Sequence, residues 1–438
     1  MFDLPKYGDG ICLARLAELL DSIVVDRERL QRASIVITGS NGKGSTAAFC
    51  ANIGRAFGLR TGLFTSPHLY RVHERFQIGG AQIDNGDLTR LKRRVEVSIA
   101  KISRRRNERF GSFEAMFALA CLYFQEEQCD LAVFEAGIGG RYDPVRLVGS
   151  RFTSVTSVDY EHVELLGRRL ELIVSDKSDA CASGGAIVYG ENCKALQPHI
   201  LEYNRYRGIN SLFVRDQIGI GGETISTSGQ FFDLTVSPYD FRALEMRLSG
   251  TFQFNNAAIA AALFLLWLRE TRPEAAPKAI QAAIRAGLRN ASWPGRLEVI
   301  AQDPLTVIDV GHTPDGVRQA LTSLKAAHGV DGWIMVLGIS FDKTADEIAA
   351  VLAPSFETII CTSAHHKGAA AETVAAATRQ ANPEAAVHVT ASIEDAFRLS
   401  RTLAADQQSK IYVAGGLFLA IEYATLARGG RTEDLHFL

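Results

Sequence analysis

The segment that most constrains this chain is IVITGSNGKGST, at residues 35–46. A β-branched apolar run ends just before Gly39, and residues 47–57 then have a helical composition. This order predicts a strand, a glycine-rich loop and the start of a helix, an arrangement that binds phosphate groups. The glycines let backbone N–H groups approach phosphate oxygens, and the helix dipole adds partial positive charge there.

Two side chains of this loop strengthen the prediction. Lys43 supplies a mobile positive charge, and the hydroxyl of Ser45 suits phosphate or magnesium. The spacing departs from the standard G-x-x-x-x-G-K-[ST] pattern because Gly44 separates the two residues. The alternative is an ordinary β-to-α turn with a surface lysine, but three glycines, a lysine and a hydroxyl within seven residues favour phosphate binding.

Composition places limits on location and partners. The chain has 438 residues, 47% hydrophobic and 22% charged, with a net charge of −2, which gives no basis for binding nucleic acid or a membrane surface. Seven cysteines without a C-x-x-C pair indicate reduced thiols in a cytoplasmic protein. The N-terminus lacks the pattern of a signal peptide, and the most apolar segment, residues 257–268, is too short to span a bilayer.

The alternation of strands and helices predicts an α/β fold. Strands are expected at residues 61–65, 130–135 and 153–158, a loop with a Gly-Gly turn at 66–83, and helical segments at 11–32, 84–106 and 112–125, the last capped by Ser112. Such an order predicts a parallel sheet covered on both faces. Short β-type runs at residues 212–214, 231–236 and 244–248 predict a small antiparallel subregion attached to it.

A break at residues 293–295 precedes a second alternation of strands and helices. We therefore expect an N-terminal P-loop-type parallel-sheet domain over residues 1–294 and a C-terminal Rossmann-like α/β domain over residues 295–438.

Six later blocks accompany the loop. They are FTSPHLYRVHER at 64–75, FEAGIGGR at 134–141, HVELLG at 162–167, SDKS at 175–178, WPGRLE at 293–298 and DVGHTP at 309–314. In sequence and in order, these blocks resemble the folylpolyglutamate synthases of the Mur ligase superfamily, and the resemblance runs from about residue 8 to residue 425.

The resemblance implies an ATP- and Mg²⁺-dependent ligase. Such an enzyme activates a small carboxylic acid as an acyl phosphate and couples it to an amino acid, glutamate in this family, releasing ADP and phosphate. The implied partners are therefore small molecules, and the implied state is a monomer. The chemistry requires charge neutralisation around the transferred phosphoryl group and positioning of two substrates.

The resemblance also assigns roles to residues. The catalytic residues would be Lys43, Glu135, His162 and Lys177. The nucleotide would be bound by Asn41, Gly42, Gly44, Ser45, Thr46, Asn255, Asn256, Arg296, Asp309 and His312. Magnesium ligands or their neighbours would be Ser45, Ser66, Glu135 and His162; the hydroxyl and carboxylate oxygens among them suit this ion.

Alternatives remain open for several of these residues. Lys177 resembles the lysine that relatives carry as a carbamate, and the alternative is an unmodified lysine on a helix. Arg296 would contact phosphate only when the two domains close over ATP, and the alternative is an exposed linker arginine. The remaining residues of the second domain, and the two asparagines, could instead be loop residues and helix caps.

The acceptor pocket departs most from the family pattern. Residues 142–146 read YDPVR where relatives usually have LDATN. The resemblance implies that Asp143 contacts the pterin, that Phe113 stacks on it, and that Arg75 is a further substrate residue. Arg146 either meets an anionic group of the substrate or lies on the surface. This pattern leaves three hypotheses: a folate ligase, a ligase for a non-folate acid in a specialised pathway, and a non-catalytic ATP-binding paralogue.

Overall fold

The computed structural model describes residues 1, 4–5, 8–10, 12–226 and 229–437. Within this part of the chain, one mostly parallel sheet of eight strands lies in the N-terminal unit and one mixed sheet of six strands lies in the C-terminal unit. A three-stranded antiparallel sheet accompanies the first unit. The predicted α/β fold class is confirmed.

The strands of the first unit form two sheets. The large sheet has the order β4-β3-β2-β5-β1-β6-β7-β8, made of β1 Ser34–Thr38, β2 Thr61–Phe64, β3 Phe76–Ile78, β4 Ala81–Gln82, β5 Leu131–Glu135, β6 Phe152–Val155, β7 Ala186–Tyr189 and β8 Asn210–Phe213. The small sheet has the order β11-β10-β9, made of β9 Ile218–Ser226, β10 Gly229–Val236 and β11 Tyr239–Met246.

Helices cover both faces of the large sheet. They are α1 Leu13–Ser22, α2 Arg27–Ala33, α3 Lys43–Ala56, α4 Asn85–Arg106, α5 Ser112–Glu126, α6 Val163–Leu166, α7 Leu170–Ser178, α8 Gln197–Arg205, α9 Phe252–Thr271 and α10 Pro277–Asn290. None of the helices in the described ranges has the length and hydropathy needed to cross a bilayer.

The second unit is a six-stranded sheet with five helices among its described residues. Its strand order is β12-β13-β17-β14-β15-β16, with β12 Glu298–Gln302, β13 Leu305–Ile308, β14 Trp333–Leu337, β15 Thr358–Cys361, β16 Ala386–Val389 and β17 Lys410–Ala414. The helices are α11 Pro314–His328, α12 Ala345–Leu352, α13 Ala371–Ala381, α14 Ile393–Gln407 and α15 Leu417–Ala427. Only β12 runs antiparallel to its neighbour.

The central strand β1 explains why both faces of the first sheet are covered. Successive side chains of a strand point to opposite faces. Ile35 and Ile37 accordingly pack into a cluster with α3, α9 and α10, while Val36 packs into a second cluster with α1, α4 and α5. All three side chains are fully buried, as expected for a central parallel strand.

The first unit corrects several expected boundaries. The helical spacing at 11–32 belongs to two helices, α1 and α2, and residue 11 itself lies outside the described residues. The expected loop at 66–83 contains the hairpin β3–β4, whose turn is the predicted Gly-Gly pair. The cap of α5 is Gly111 rather than Ser112, because the Glu114 carboxylate accepts the Gly111 N–H at 2.7 Å.

The antiparallel subregion is also different in detail. The run at 212–214 belongs largely to β8, which pairs in parallel with β7 at the edge of the large sheet. The third strand of the small sheet is instead β9, which pairs with β10. The sequence did not predict β9 because the segment contains several glycines and polar residues. Strands are recognised in a sequence mainly by β-branched and aromatic side chains. The division into domains at residues 1–294 and 295–438 stays a prediction.

Candidate functional site

The glycine-rich loop lies at the carboxyl end of β1 and is fixed by the segment that follows β6. The Asn41 N–H donates to the Ser157 hydroxyl at 2.8 Å, and the Asn41 carbonyl accepts the Thr156 hydroxyl at 2.5 Å. Gly42 is the N-cap residue of α3 and has a φ of 84°. A Cβ at this position would lie 2.5 Å from the side-chain oxygen of Asn256, so both conformation and space require glycine.

The polar side chains of the loop surround the start of α3. Lys43 folds back so that its ammonium donates to the carbonyls of Gly39 at 2.8 Å and Ser40 at 3.2 Å. The Ser45 hydroxyl accepts a bond of 3.3 Å from the amide of Gln253. The Thr46 hydroxyl is buried without a hydrogen-bond partner among the described residues. The helix start therefore presents a cation and hydroxyl groups close together.

Glu135 ends the neighbouring strand β5 and is buried. Its carboxylate accepts the Ser66 N–H at 2.9 Å, which holds the segment after β2 beside it. Burial raises the pKa of Glu135 to about 7, although Lys43 and the Ser66 N–H oppose this shift. A carboxylate in this position is therefore stabilised by any additional cation.

Arg75 is buried at the end of the same segment, directly before β3. The Arg75 Nε donates to His68 Nδ1 at 2.8 Å. The Arg75 guanidinium also interacts electrostatically with the carboxylate of Glu135. Burial lowers the pKa of His68 to about 4, and the charge of Arg75 adds to this effect. His68 is therefore neutral beside a charged guanidinium.

Lys177 is buried on α7 and forms an ion pair with Glu161. Burial disfavours the charged form of both groups, but the attraction of Lys43 and Lys177 dominates at Glu161 and lowers its pKa to about 2. The adjacent His162 precedes α6 with a φ of 45° and is exposed. Lys177 thus acts on the site through Glu161.

The second unit contributes a further group of charged residues. The buried carboxylate of Asp309 accepts the N–H groups of Leu297 at 3.1 Å and Gly311 at 2.7 Å, which fixes the segment that carries Arg296. No hydrogen bond or ion pair holds the Arg296 guanidinium in the described part of the chain. His312 Nδ1 lies 3.2 Å from the Val310 carbonyl.

One cavity of about 1190 Å³ connects these groups, with walls from both units. Most of the predicted site residues line it: Asn41, Gly42, Lys43, Gly44, Ser45, Ser66, Arg75, Phe113, Glu135, Asp143, His162, Asn255, Asn256, Arg296, Asp309 and His312. Thr46, Arg146 and Lys177 are not among the lining residues. The Asn255 side chain accepts a hydrogen bond from the Glu191 N–H, and the Asn256 side chain donates one to the Gln253 side chain.

The predicted acceptor residues have different surroundings. Phe113 lies beside Phe64, with ring centroids 5.8 Å apart, and faces the cavity. Asp143 is buried, and its carboxylate accepts the N–H groups of Gly137 at 2.9 Å, Ile138 at 3.0 Å and Val145 at 3.0 Å. The Asp143 carboxylate therefore stabilises the loop at residues 137–145. Three of its acceptor positions are already used by backbone N–H groups and are not available to a substrate.

Arg146 lies outside the cavity walls. It is exposed, and its guanidinium donates to the Arg141 carbonyl at 2.8 Å. Of the two alternatives for this residue, a surface arginine is the one that the geometry supports.

The sequence patterns missed residues that complete the site. Glu161 stands just outside the block at 162–167, and its ion pair with Lys177 depends on a tertiary contact. Thr156 and Ser157 could have been found, because they follow a strand of the parallel sheet at the edge where ligands bind. Trp293 contacts the position of Gly44, where a Cβ would lie 2.8 Å from the indole ring.

Comparison with known proteins agrees with this geometry. The family model described as "Mur ligase, glutamate ligase domain" matches residues 295–417. The folylpolyglutamate synthase of Lacticaseibacillus casei is 30% identical over 81% of this chain and 81% of its own length. The chain belongs to the folylpolyglutamate synthase family. Members of this family are ATP-dependent ligases.

Other members show how far the likeness extends. A probable bifunctional folylpolyglutamate synthase/dihydropteroate synthase of Halobacterium salinarum is 32% identical over 97% of this chain, which spans about half (50%) of that relative's length. The folylpolyglutamate synthase of Mycobacterium tuberculosis, solved with ADP and AMPPCP, superimposes with a TM-score of 0.85 at 26% identity and covers 95% of each chain. A folylpolyglutamate synthase complex with AMPPCP and folate gives a TM-score of 0.81 at 27% identity, over 97% of each chain.

Proposed function

We propose that this chain is an ATP- and Mg²⁺-dependent ligase that joins a small carboxylic acid to glutamate. The observation that carries the proposal is the single cavity in which the glycine-rich loop and Glu135 of one unit face the cations of the other. The acid oxygen attacks the γ-phosphorus of ATP, and ADP leaves. The neutral amine of the amino acid then attacks the acyl carbon, the bond to the phosphate oxygen breaks, and phosphate leaves with the proton that the amine loses as the amide forms.

The loop end of the cavity suits the triphosphate. The Lys43 ammonium donates to two carbonyl oxygens, at 2.8 Å and 3.2 Å, and phosphate oxygens can replace these acceptors when the side chain turns toward them. The N-terminus of α3 adds N–H groups and its dipole. Arg296 has five donors and no bond to the rest of the described chain, so it is available to neutralise charge on the transferred phosphoryl group.

The part of the cavity wall that belongs to the second unit suits an anionic amino acid. Lys343, Lys367 and His312 of the second unit line this wall together with Ser340. Glutamate carries two carboxylates in addition to its reacting amine. Lys367 can pair with one of them, and Lys343 can pair with the other in exchange for its 3.9 Å contact with Asp342. The charge pattern therefore supports glutamate over a neutral amino acid.

The residues present fit a magnesium ion. No group of three His, Cys, Asp or Glu side chains that could hold a metal occurs in the described ranges, so phosphate oxygens and water would complete the ligand set. Ser45, Ser66, Glu135 and His162 would hold the ion or lie beside it. When bound, the ion would neutralise phosphate charge during transfer.

The carbamate on Lys177 remains an alternative within this proposal. In the present arrangement the ammonium neutralises Glu161, whereas a carbamate would place a second anion against that carboxylate unless a cation lay between them. A carbonyl NMR signal that depends on ¹³C-bicarbonate and is absent from Lys177→Ala would support the modification.

The acid itself has two candidates. Folates are the substrates in the names of the relatives, and Phe113 offers them a stacking surface. The second candidate is a non-folate acid, because the acceptor wall is mostly apolar and Asp143 is satisfied by backbone N–H groups. This wall contains Leu13, Leu16, Phe113, Met116, Ile138, Tyr142, Pro144 and Leu165.

The test is a screen for turnover that requires all three substrates. Purified protein is given ATP, Mg²⁺ and glutamate with folates or with other aromatic and aliphatic acids, and both phosphate release and product mass are measured. We expect phosphate release only when acid and amine are both present, and a product heavier than the acid by one glutamate residue. A folded protein that turns over none of the acids would contradict the proposal.

Lys43→Ala is the matched variant for this screen. It should reduce turnover by about 10²-fold or more, because removing one donor to developing charge has this effect in other enzymes. Lys101→Ala, an exposed lysine on α4, should have wild-type turnover. A non-catalytic ATP-binding protein would instead bind nucleotide in a Lys43-dependent manner and give no product. A monomeric state and a cytoplasmic location stay predictions, testable by light scattering and cell fractionation.

A further inference from the structure

The segment between β2 and β3 links the two units at the site. It begins with Ser66, whose N–H donates to Glu135, and it ends with the buried Arg75. Between them, Leu69 and Tyr70 pack against a hydrophobic cluster of the second unit. Any shift of the second unit against the first therefore acts on the segment that holds Glu135.

His68 lies within this segment and connects Arg75 to the end of the chain. Arg75 Nε donates to His68 Nδ1 at 2.8 Å, and His68 Nε2 lies 2.9 Å from the His436 carbonyl. A guanidinium is always a donor, so Nδ1 must be the unprotonated nitrogen. Nε2 therefore carries the proton and donates to the carbonyl, which fixes the ring as one tautomer.

The C-terminal tail, residues 435–437, is anchored independently of this bond. Leu435 and Phe437 pack on the same cluster as Leu69 and Tyr70. The Phe437 ring lies 4.8 Å from that of Phe418, which lines the cavity. The position of the His436 carbonyl is thus set by the packing of the second unit.

We propose that the C-terminal tail positions Arg75 and Glu135 through His68. The tail carbonyl orients the imidazole, the imidazole holds Arg75 Nε, and Arg75 and the Ser66 N–H keep Glu135 aligned with the phosphate loop. His68 is a positioning residue, and the proposal rests on the ligase function proposed above. The contacts that carry it span 368 positions between His68 and His436.

The energetic reason is that the Arg75 guanidinium is buried. Loss of the His68 acceptor leaves a buried charged donor unsatisfied, which is costly, and the side chain must move to find another partner. Such a movement would disturb Glu135, and displacement of a catalytic group by about 1 Å can reduce a rate by about 10²-fold. Nucleotide binding depends on the loop at β1 and should be affected less.

The contacts from the C-terminal tail through His68 to Arg75 and Glu135 are called the relay below. Three variants and one control test the relay by steady-state kinetics. His68→Leu removes both bonds, and truncation after Asp434 removes the acceptor, so each should lower kcat about tenfold or more. The KM for ATP should stay within about threefold of wild type, because the change acts on alignment rather than on nucleotide binding. His68→Gln can accept from Arg75 and donate to the carbonyl, so it should recover most of the activity. His388→Leu, on the edge strand β16, is the control and should match wild type.

Two outcomes would overturn the relay. One is a kcat of His68→Leu within about twofold of wild type. The other is a fall in activity that His68→Gln does not restore and that follows the loss of thermal stability across all variants, as expected of a purely structural residue.

A second measurement does not depend on turnover. In ¹⁵N-histidine NMR spectra of the full chain, the His68 signal, assigned by its absence in His68→Gln, should show protonated Nε2 and unprotonated Nδ1. Truncation after Asp434 should change this signal, and an unchanged signal or the opposite tautomer would refute the relay. Wild-type protein that shows the expected signal but no ligase activity would refute the proposed function instead.

Discussion

At the scale of single residues, Asp143 shows how burial changes the meaning of a carboxylate. Burial raises its pKa from an ordinary value of 3.8 to about 6, despite three backbone N–H donors. The folded protein therefore holds this proton more tightly than the unfolded chain does. The stabilisation from that proton is complete below pH 3.8 and is lost as the pH rises through about 6.

Asp143→Asn removes this dependence because the amide does not ionise. We subtract the free energy of unfolding of wild type from that of Asp143→Asn. We expect this difference to increase by about 2 kcal/mol between about pH 4.5 and about pH 7. The loss of one acceptor adds an offset that does not vary with pH. Urea unfolding at several pH values measures the difference.

Asp406→Asn is the control for this experiment, since Asp406 is exposed. Its difference from wild type should vary by less than about 0.5 kcal/mol over the same range. An Asp143→Asn difference that stays constant, or moves against the variant as the pH rises, would show that the Asp143 carboxylate is ionised throughout.

At the scale of elements, a buried ion pair joins α1 to α5. Arg15 of α1 is buried and donates to both oxygens of Glu114, at 2.9 Å and 2.7 Å, and to the Gly10 carbonyl. Arg15→Ala would leave the Glu114 carboxylate buried without its cation, so we expect a loss of about 3–5 kcal/mol in the free energy of unfolding. Chemical denaturation of wild type and variant measures it.

The matched control is Arg90→Ala on α4. Arg90 also pairs with two carboxylates, Asp87 and Glu126, but each of the three side chains is at least a quarter exposed to solvent. Its loss should cost less than about 1 kcal/mol. Equal costs for the two variants would mean that Glu114 finds another partner or takes up a proton.

The two ends of α3 provide a second prediction at this scale. Gly42 and Gly58 both have positive φ, but a Cβ at Gly42 would lie 2.5 Å from Asn256, whereas nothing lies within 4 Å of one at Gly58. Gly58→Ala should cost about 1 kcal/mol from strain alone. Gly42→Ala should cost more, and it should weaken binding of a non-hydrolysable ATP analogue about tenfold or more, because the phosphate loop must move.

Calorimetry with the ATP analogue separates these effects. Gly58→Ala should bind it like wild type, since Gly58 lies at the opposite end of the helix. Wild-type affinity in Gly42→Ala would contradict the assignment of the loop as the phosphate site.

At the scale of the whole molecule, local patterns were predictable and distant pairings were not. The strand, loop and helix at residues 34–56 follow from consecutive residues, so the phosphate site could be located from sequence. The α5 cap was misassigned because Ser112 matches the preferred residue type, whereas the bond comes from Glu114. Lys177 was found, but its partner Glu161 and the link from His68 to His436 depend on how the units pack.

The arrangement of the two units leads to a last prediction, at Arg296. This residue follows the break between the units, and among the described residues no hydrogen bond holds its guanidinium, although its charge acts on Glu135 and Asp309. A cation so placed can reach a phosphoryl group when the units close on ATP, and its contribution should then appear mainly in the transition state.

Arg296→Ala should therefore lower kcat by about 10²-fold while the affinity for an ATP analogue stays within about threefold of wild type. Arg289→Ala provides the control, because Arg289 is an exposed arginine near the end of α10 whose ion pair, within the described ranges, is with Glu245 at 3.1 Å. Equal losses of kcat and nucleotide affinity would place Arg296 in ground-state binding, so the cavity would hold ATP with both units already in contact with its phosphates. Unchanged kinetics would make Arg296 a linker residue without a catalytic role and would remove the main reason for requiring the second unit in phosphoryl transfer.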